Sequence, residues 1–373
     1  MFNRLLLPRI EKVRNKVIVL YGARQVGKTT LAKIYLQKYQ NIIGYSCDDL
    51  DVVGWLGSNR LSIIQPYIQG FEVVLIDEAQ RVKNIGLSLK LMYENFPDTI
   101  LLVTGSSSFD LANQVLEPLT GRSREFILPP LLLREAFADY GFADFQKYLK
   151  TILKYGLYPS VAQNYLEDSV YEAEDELKNI AKNYLYKDIL NFDTVKNPQN
   201  IQKMLVYLAS SVGSEINLHK MSNALNLDQK TIQRYLLILE QSFIVFRLNV
   251  YSKRKKGEII NNFKVYFWDV GIRNTVLQDY RDFDYRDDLG KLFENLVIAE
   301  FYKNKVVFEH GYNLYFWRTY TNLEVDLIKE NNIGEIEALE IKITPEKLKK
   351  SIVEEFGSYK MFSVQQLWEE FVR

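Results

Sequence analysis

The stretch Gly22-Ala-Arg-Gln-Val-Gly-Lys-Thr29 fits the pattern Gly-x-x-x-x-Gly-Lys-Ser/Thr. It follows an apolar run, Val17–Tyr21, with the character of a strand, and it opens a helix predicted over Thr29–Gln37. Glycines let backbone N–H groups turn inward around an anion, and the helix N-terminus adds a partial positive charge. The stretch therefore predicts a phosphate-binding loop between a strand and a helix, which belongs to an α/β fold.

The loop residues divide by expected role. Lys28 is expected to reach the β- and γ-phosphates of ATP, and the hydroxyl of Thr29 to bind Mg²⁺. The other residues predicted to contact the nucleotide are Gly22, Arg24, Gln25, Val26, Gly27 and Thr30. The alternative is a glycine-rich turn that binds nothing, but the flanking strand and helix favour the nucleotide site.

Short apolar runs alternate with helical stretches as far as about Pro130, a pattern typical of a parallel sheet covered by helices. The predicted strands are Val17–Tyr21, Ile42–Ser46, Glu72–Ile76, Ile100–Thr104 and a fifth near Arg124–Leu128. Together with the loop, these strands predict the parallel sheet of a P-loop NTPase.

An acidic pair, Asp77 and Glu78, ends the apolar run that precedes it. Open α/β sheets bind ligands at the carboxyl ends of their strands, where a carboxylate suits Mg²⁺ or a metal-bound water. We expect Asp77 to hold the metal ion and Glu78 to polarise the attacking water. Such pairs are common at loops, but this position after a phosphate loop favours hydrolysis.

Three further residues are candidates for sensing the γ-phosphate. Thr104 and Ser106 end another apolar strand, where their hydroxyls would bond the γ-phosphate or the water, although a serine-rich turn is an equal alternative. Arg122 follows a turn glycine and is a candidate arginine finger, acting either in cis or on a neighbouring subunit's nucleotide. Action on a neighbouring subunit's nucleotide would require a homo-oligomer. Alternatively, Arg122 is a solvated arginine without a role in the site.

Composition limits the classes of site. Among 373 residues, Lys+Arg and Asp+Glu both number 47, which argues against coating nucleic acid by bulk charge but leaves room for a local basic patch. A single cysteine excludes an internal disulfide and a cysteine-rich zinc site, and two distant histidines argue against a histidine metal centre. With no apolar stretch of bilayer length, we expect a soluble cytoplasmic protein without a membrane partner.

The middle of the chain reads as helical from Leu131 to about Thr194 and then changes character. Leu218–Leu225 and Gln229–Glu240 predict two helices joined by a short turn, followed by two β-rich runs that flank the basic segment Lys253–Lys256. This is the pattern of a winged helix, which would contact DNA through its second helix and its basic wing. A helical spacer, or a winged helix used for protein contact, is the alternative.

The C-terminal part carries the spacing Asp326…Glu340-x-Lys342, the pattern of the PD-(D/E)XK nuclease superfamily. Glu340 and Lys342 share one face of a strand, and a hairpin would bring Asp326 within reach of both. Two carboxylates make an oxygen site for Mg²⁺, the lysine would orient water, and Glu294 on the preceding helix is a further candidate ligand. Alternatively, Glu340 and Lys342 are the solvated face of an amphipathic strand.

Nearly the whole chain resembles bacterial and archaeal AAA-type ATPases that carry a C-terminal domain of unknown function. The resemblance rests on motifs along the chain, namely Gly22–Thr30, Leu75–Gln80, Leu102–Ser107, Thr120–Arg122, Gly156–Pro159, Tyr184–Ile189, Phe267–Gly271, Gly290–Glu294 and Glu324–Asp326. It implies an AAA-type sheet, a winged helix and a C-terminal fold similar to restriction endonucleases. One departure is the single glycine of Gly156–Pro159, where the family tends to have a pair.

These expectations combine into one organisation. We predict an ATPase core over residues 1–130, a helical linker or lid over 131–197, a winged helix over 198–275 and a nuclease-like α/β domain over 285–373. The expected function is Mg²⁺-dependent ATP binding and hydrolysis coupled to DNA binding, with cleavage by Asp326, Glu340 and Lys342 as its extension. The alternative is a nucleotide-switched regulator or adaptor whose C-terminal domain binds without cleaving.

Overall fold

The computed structural model describes residues 2–106, 118–183, 197–252, 262–319, 323–345 and 350–373. The chain divides into two compact units. The first unit comprises residues 3–129 and 241–243, and the second unit comprises the rest of the chain.

The first unit is built on a parallel sheet of five strands in the order β2-β3-β4-β1-β5. The strands are β1 Val17–Tyr21, β2 Ile42–Ser46, β3 Val73–Asp77, β4 Ile100–Gly105 and β5 Ser123–Ile127. The helices described in this unit are Leu7–Ile10, Lys28–Leu36, Leu50–Leu56, Leu61–Ile68 and Ile85–Asn95. The parallel sheet and the predicted strands are confirmed, with boundaries that differ by a residue or so.

Burial explains why the central strands read as continuous apolar runs. All five residues of β1 are buried, as are Val73–Ile76 of β3, because helices cover both faces of a parallel sheet. The edge strand β2 instead alternates between half-buried and exposed residues. Since the strands are parallel, their carboxyl ends share one edge, which brings Gly22, Asp77 and Ser106 to the same side of the sheet.

The second unit begins with helices and continues into a seven-stranded sheet. Its helices are Leu133–Phe137, Phe142–Tyr155, Pro159–Leu166, Val170–Ala181, Pro198–Ser210, Leu218–Leu225, Gln229–Gln241, Val270–Leu277, Leu289–Phe308, Lys350–Phe356 and Val364–Phe371. The strands are β6 Glu215–Asn217, β7 Val245–Val250, β8 Asn262–Phe267, β9 Tyr312–Arg318, β10 Glu324–Asn331, β11 Ile336–Ile341 and β12 Tyr359–Phe362. Their order is β12-β11-β10-β9-β7-β8-β6.

A parallel pairing between β7 and β9 makes these seven strands one sheet. Asn249 lies opposite Tyr315 and Val250 opposite Phe316, and the Tyr251 N–H donates to the Phe316 carbonyl at 2.6 Å. Strands from the predicted domains 198–275 and 285–373 therefore belong to one continuous sheet. The division of this part of the chain into two separate domains stays a prediction.

The two helices predicted for the winged helix are present at Leu218–Leu225 and Gln229–Gln241. Asp228 caps the second helix by accepting from the Thr231 N–H at 2.9 Å. The side chains of Ile232, Leu236 and Leu239 are buried, whereas Lys230 and Gln233 are exposed. The winged-helix interpretation itself stays a prediction, and its basic segment Lys253–Lys256 lies outside the described residues.

A buried aspartate ties the helical part of the second unit together. Asp269 accepts from the Leu157 N–H at 2.6 Å and from the Gly271 N–H at 2.9 Å. Gly156, which ends the helix Phe142–Tyr155, packs directly on this carboxylate with φ 76° and ψ −157°. That backbone region is essentially restricted to glycine, so close packing and conformation both require Gly156.

Gly156→Ala should therefore destabilise the second unit strongly. A Cβ at this position would overlap the Asp269 carboxylate, and the backbone would be strained as well. We expect the free energy of unfolding to fall by about 3 kcal/mol or more, measured by urea denaturation. Gly290→Ala is the matched control, because a Cβ there meets no atom within 4 Å and the position is helical. Equal stability of the two variants would contradict the role assigned to Gly156.

Among the described residues, none of the helices combines the length and apolar character needed to cross a membrane.

Candidate functional sites

The phosphate loop connects β1 to the helix Lys28–Leu36. Gly27 precedes this helix with a left-handed φ of 94°, and Val26 beside it is fully buried. Arg4 holds the loop from outside, since its guanidinium donates to the carbonyls of Val26 and Pro129, both at 2.6 Å. Arg4 was not anticipated from the sequence, because nothing local to it marks a contact with a loop more than twenty residues away.

Lys28 lies across the loop with its side chain directed inward. The side chain is 5% exposed, and Nζ donates to the carbonyls of Gly22 and Ala23, both at 2.9 Å. An ammonium held by neutral carbonyls at the open end of a helix exchanges readily to a phosphate oxygen, since charge-assisted hydrogen bonds are the stronger ones. Of the other predicted loop contacts, Gln25 and Thr30 are exposed and Arg24 is half-buried.

Thr29 and Asp77 meet as the predicted Mg²⁺ site requires. The Thr29 hydroxyl donates to Asp77 Oδ2 at 2.9 Å, although the two residues come from different elements of the sheet edge. A hydroxyl and a carboxylate are oxygen ligands of the kind that Mg²⁺ prefers, with phosphates and water completing its coordination. The donor set at this edge therefore fits a magnesium nucleotide.

Thr104, predicted to sense the γ-phosphate, contacts the Asp77–Glu78 segment in this structure. It is fully buried, its hydroxyl donates to Asp77 Oδ1, and it accepts from the Glu78 N–H at 3.3 Å. A side chain without exposed surface, engaged by both acidic residues, orients the Asp77–Glu78 segment. Its role as a γ-phosphate sensor stays a prediction.

Glu78 is held by two side chains at the same edge. Its backbone has a left-handed φ of 56° and leads into a short 3-10 turn over Ala79–Arg81. Within that turn, Gln80 Nε2 donates to Glu78 Oε2 and to Ser106 Oγ, the latter at 3.0 Å. Ser106 Oγ also lies 3.3 Å from Glu78 Oε2. Both contacts fall on Oε2, so neither Gln80 nor Ser106 engages Oε1.

Gln80 is thus a positioning residue that sequence reasoning missed. Its amide fixes one oxygen of Glu78 and, through Ser106, ties β3 to the end of β4. The sequence offered one signal for this contact. Gln80 lies two positions after Glu78, and in a tight turn a side chain at that distance can contact the Glu78 carboxylate. Ser106, predicted as a γ-phosphate sensor, is placed at the site as part of this contact.

Gln80→Leu should lower ATP turnover about tenfold while changing the KM for ATP by less than about threefold, because one orienting hydrogen bond to a carboxylate is lost. Gln80→Glu should act more strongly, since a second carboxylate beside Glu78 raises its pKa and moves the pH profile of turnover upward. Steady-state kinetics between pH 6 and 9 would measure both effects. Unchanged turnover and an unchanged pH profile in both variants would contradict the positioning role.

Arg122 does not lie beside the phosphate loop of its own chain. Ser123 pairs with Val17 at the start of β1, so Arg122 stands at the amino edge of the sheet, about 16 Å along β1 from the loop. There it forms an ion pair with Glu94 at 3.1 Å. The prediction that Arg122 acts on the nucleotide of its own chain is therefore wrong, because strand register places Arg122 at the opposite edge of the sheet. A role on a neighbouring subunit's nucleotide stays a prediction.

The C-terminal residues predicted to converge do so. Lys342 Nζ lies 3.2 Å from Glu340 Oε1 and 4.0 Å from Asp326 Oδ2. The Ile341 N–H donates to Asp326 Oδ2 at 2.8 Å across the β10–β11 pairing, and the Tyr359 hydroxyl donates to Glu340 Oε2 at 2.7 Å. Both carboxylates are mostly buried, so they do not form the solvated face of an amphipathic strand.

Burial, together with the neighbouring carboxylates Glu294 and Glu340, raises the pKa of Asp326 to about 7, although Lys264 opposes this shift. Crowded carboxylates that resist ionisation are typical of a site that takes up a cation. Lys342 shows the reciprocal effect, since these acidic neighbours raise its pKa despite partial burial.

Glu294, predicted as a further ligand, contacts two side chains of β8, and its role as a ligand stays a prediction. Its Oε1 accepts from the Tyr266 hydroxyl at 2.6 Å and lies 3.3 Å from Lys264 Nζ. Within the part of the chain that the structure describes, no three His, Cys, Asp or Glu side chains are arranged to hold a metal ion. Asp326 and Glu340 are thus the protein oxygens that fit a divalent cation here.

Three family models match the chain. Residues 14–137 match an AAA domain, residues 146–282 match a domain of unknown function (DUF8612), and residues 289–363 match another domain of unknown function (DUF4143). The first match covers the five-stranded sheet and the phosphate loop. The third covers β9 to β12 and the helix that carries Glu294.

Relatives similar over most of their length are themselves uncharacterized. A protein of Methanocaldococcus jannaschii is 25% identical over 351 residues, covering 86% of this chain and 73% of that protein. A protein of Haemophilus influenzae is 28% identical over 283 residues, covering 69% of this chain and 68% of that protein.

A solved structure described as a Walker-type ATPase of Pyrococcus abyssi matches with a TM-score of 0.52 at 15% identity, covering 74% of this chain and 96% of that chain. At that identity the likeness concerns the fold alone. The loop geometry, the match to an AAA domain and this shared fold together support an ATPase of the P-loop superfamily in the first unit, followed by domains of unknown function.

Proposed function

We propose that the first unit binds ATP with Mg²⁺ and hydrolyses it. The observation that carries this proposal is the hydrogen bond between Thr29 and Asp77 beside the inward-facing Lys28. It brings a metal-ligating hydroxyl, a carboxylate and a phosphate-binding ammonium to one edge of the sheet. A strand-to-helix turn that binds no ligand has no need to bring a hydroxyl, a carboxylate and an ammonium together, so their meeting favours a nucleotide site.

Each residue has a distinct role in this reaction. Lys28 binds the β- and γ-phosphates, and Thr29 with Asp77 would hold Mg²⁺, which supplies positive charge to the phosphates when bound. Glu78 orients the attacking water and accepts its proton through Oε1, while Gln80 and Ser106 hold Oε2. Thr104 fixes the Asp77–Glu78 segment, so that both carboxylates keep their positions as the phosphates arrive.

The test is ATP turnover by the purified full-length chain, followed as phosphate release. We expect turnover with Mg²⁺ and its loss when EDTA is added, because the oxygen ligands at Thr29 and Asp77 serve a metal nucleotide. A nucleotide that binds without phosphate release under any metal condition would contradict hydrolysis and leave a binding protein. No binding at all would contradict the proposal entirely.

We further propose that nucleotide state controls DNA binding by the second unit. The helix Gln229–Gln241 supports this, since its buried face leaves Lys230 and Gln233 exposed for contact. Fluorescence anisotropy of a DNA duplex with the full chain, in ADP and in a non-hydrolysable ATP analogue, would test it. Different affinities in the two states, both weakened by Lys230→Ala, are expected; identical affinities would contradict the coupling.

A second candidate function is Mg²⁺-dependent phosphodiester cleavage in the second unit. It is favoured by the convergence of Lys342 on Asp326 and Glu340. These carboxylates would hold a divalent cation, which stabilises the charge that develops on a phosphodiester. Lys342 would orient the water and stabilise the anionic transition state.

Cleavage is tested with single- and double-stranded DNA in Mg²⁺ or Mn²⁺. Cutting that is abolished by Asp326→Ala and by Lys342→Ala is the expected result. If ATP is hydrolysed while no DNA is cut, the nucleotide-switched regulator or adaptor becomes the better description. In that case the second unit binds its partner without chemistry.

A further inference from the structure

Lys264 is a buried charge for which the proposed functions give no role. It lies on β8 within the apolar run Phe263–Phe267 and is only 1% exposed. A buried ammonium is costly unless carboxylates compensate it at close range. The groups that contact the Lys264 ammonium therefore indicate its role.

Two carboxylates bind this ammonium. Lys264 Nζ lies 2.6 Å from Glu324 Oε1 and 3.3 Å from Glu294 Oε1. Tyr266, two residues along the same strand and so on the same face, donates to the same Glu294 oxygen. The Oε1 atom of Glu294 is thereby held by two side chains of β8.

The arrangement is fixed by the backbone. Asn295, next to Glu294, accepts from the Phe267 N–H at 2.9 Å and donates to the Phe267 carbonyl at 2.8 Å. This double contact locks the helix Leu289–Phe308 to β8, so Glu294 must face Lys264. Glu324 arrives from the other side because it starts β10, opposite Arg318 of β9.

We propose that Lys264 is the resident cation of the acidic site. Its ammonium supplies the positive charge that Glu294 and Glu324 require, so only Asp326 and Glu340 remain for a divalent ion. The site accordingly takes one divalent ion rather than two. The site also combines residues from two parts of the chain. Lys264 lies outside residues 289–363, which match the domain of unknown function DUF4143, but it belongs to the same seven-stranded sheet as Glu324, Asp326 and Glu340.

This role concerns the binding of cations and does not depend on ATP hydrolysis or on cleavage. Its failure is therefore distinguishable from theirs. Lys264 acts as a positioning residue, and the informative readouts are metal binding and stability.

The first experiment titrates nucleotide-free, full-length protein with Mn²⁺ and measures the free ion by electron paramagnetic resonance. We expect Lys264→Met to bind one additional Mn²⁺ ion, or to bind Mn²⁺ at least about tenfold more tightly than wild type, since two carboxylates lose their internal counter-ion. Lys291→Met, exposed on the neighbouring helix, should behave as wild type. Unchanged or weakened Mn²⁺ binding by Lys264→Met would overturn the proposal.

A second experiment covers the case in which Lys264→Met folds poorly. In EDTA its Tm should fall by roughly 10 °C, because Glu294 and Glu324 lose the ammonium that lies nearest to both of them. Adding Glu294→Gln and Glu324→Gln to the same chain removes the uncompensated charge and should restore most of that loss. A triple variant as unstable as the single one would show that Lys264 serves packing alone, which would also overturn the proposal.

Discussion

Glu78→Gln is expected to lower ATP turnover by roughly 100- to 1000-fold while nucleotide affinity stays within a few-fold of wild type. The substitution keeps the shape of the side chain and its position beside Gln80 and Ser106, but it removes the oxygen that accepts a proton from water. The residues proposed to bind the nucleotide, Lys28 and Thr29, are not touched by the change. Turnover measured as phosphate release, with affinity measured by nucleotide titration, separates the two effects.

Glu94→Gln is the matched control for this variant. Glu94 is an exposed glutamate of the same unit that pairs with Arg122 at the amino edge of the sheet. It should leave turnover unchanged. Wild-type turnover no faster than that of Glu78→Gln would show that Glu78 is not the catalytic base.

Lys28→Met should reduce affinity for ATP by about 100-fold or more, since it removes the buried ammonium that is proposed to make charge-assisted bonds to two phosphates. The methionine fills a similar volume, so the loop between β1 and its helix should keep its fold. Isothermal titration with ATP and Mg²⁺ measures the loss, and a thermal melt without nucleotide checks that the fold is retained.

Lys33→Met on the same helix is the control for this measurement, because Lys33 is exposed on the outer face. It should bind ATP as the wild type does. If Lys28→Met retained full affinity, the phosphates would have to bind elsewhere, and the role of the loop Gly22–Thr29 would be contradicted.

The first unit was predictable because its signals are local. A strand, a glycine-rich loop and a helix follow one another directly around Lys28, and Asp77 ends a run of buried residues. Parallel strands place their carboxyl ends at one edge, so the meeting of Thr29 and Asp77 followed from topology alone. The convergence of Asp326, Glu340 and Lys342 followed similarly from a hairpin and the alternation of side chains.

What escaped prediction depends on pairing between distant segments. The parallel contact of β7 with β9 joins residues 249–250 to 315–316, and no local pattern announces it. The same sheet holds Lys264 beside Glu324 and Glu294, a contact that the sequence did not predict. A weak signal existed, because a lysine inside the apolar run Phe263–Phe267 had to be buried with a partner.

Arg122 illustrates the opposite error. As an arginine after a turn glycine, it was a candidate arginine finger for its own nucleotide or for a neighbouring subunit's. Strand register decides otherwise, since Arg122 immediately precedes β5 and therefore lies at the edge opposite the loop. Knowing which end of a strand carries a residue matters as much as knowing the strand.

The most direct test of the central claim is a crystal structure of the chain with Mg²⁺ and a non-hydrolysable ATP analogue. We expect Lys28 Nζ to leave the carbonyls of Gly22 and Ala23 for the β- and γ-phosphates. The same map should show Mg²⁺ bound by the Thr29 hydroxyl, near Asp77. An empty loop at saturating analogue, or a nucleotide bound away from Lys28, would contradict the account.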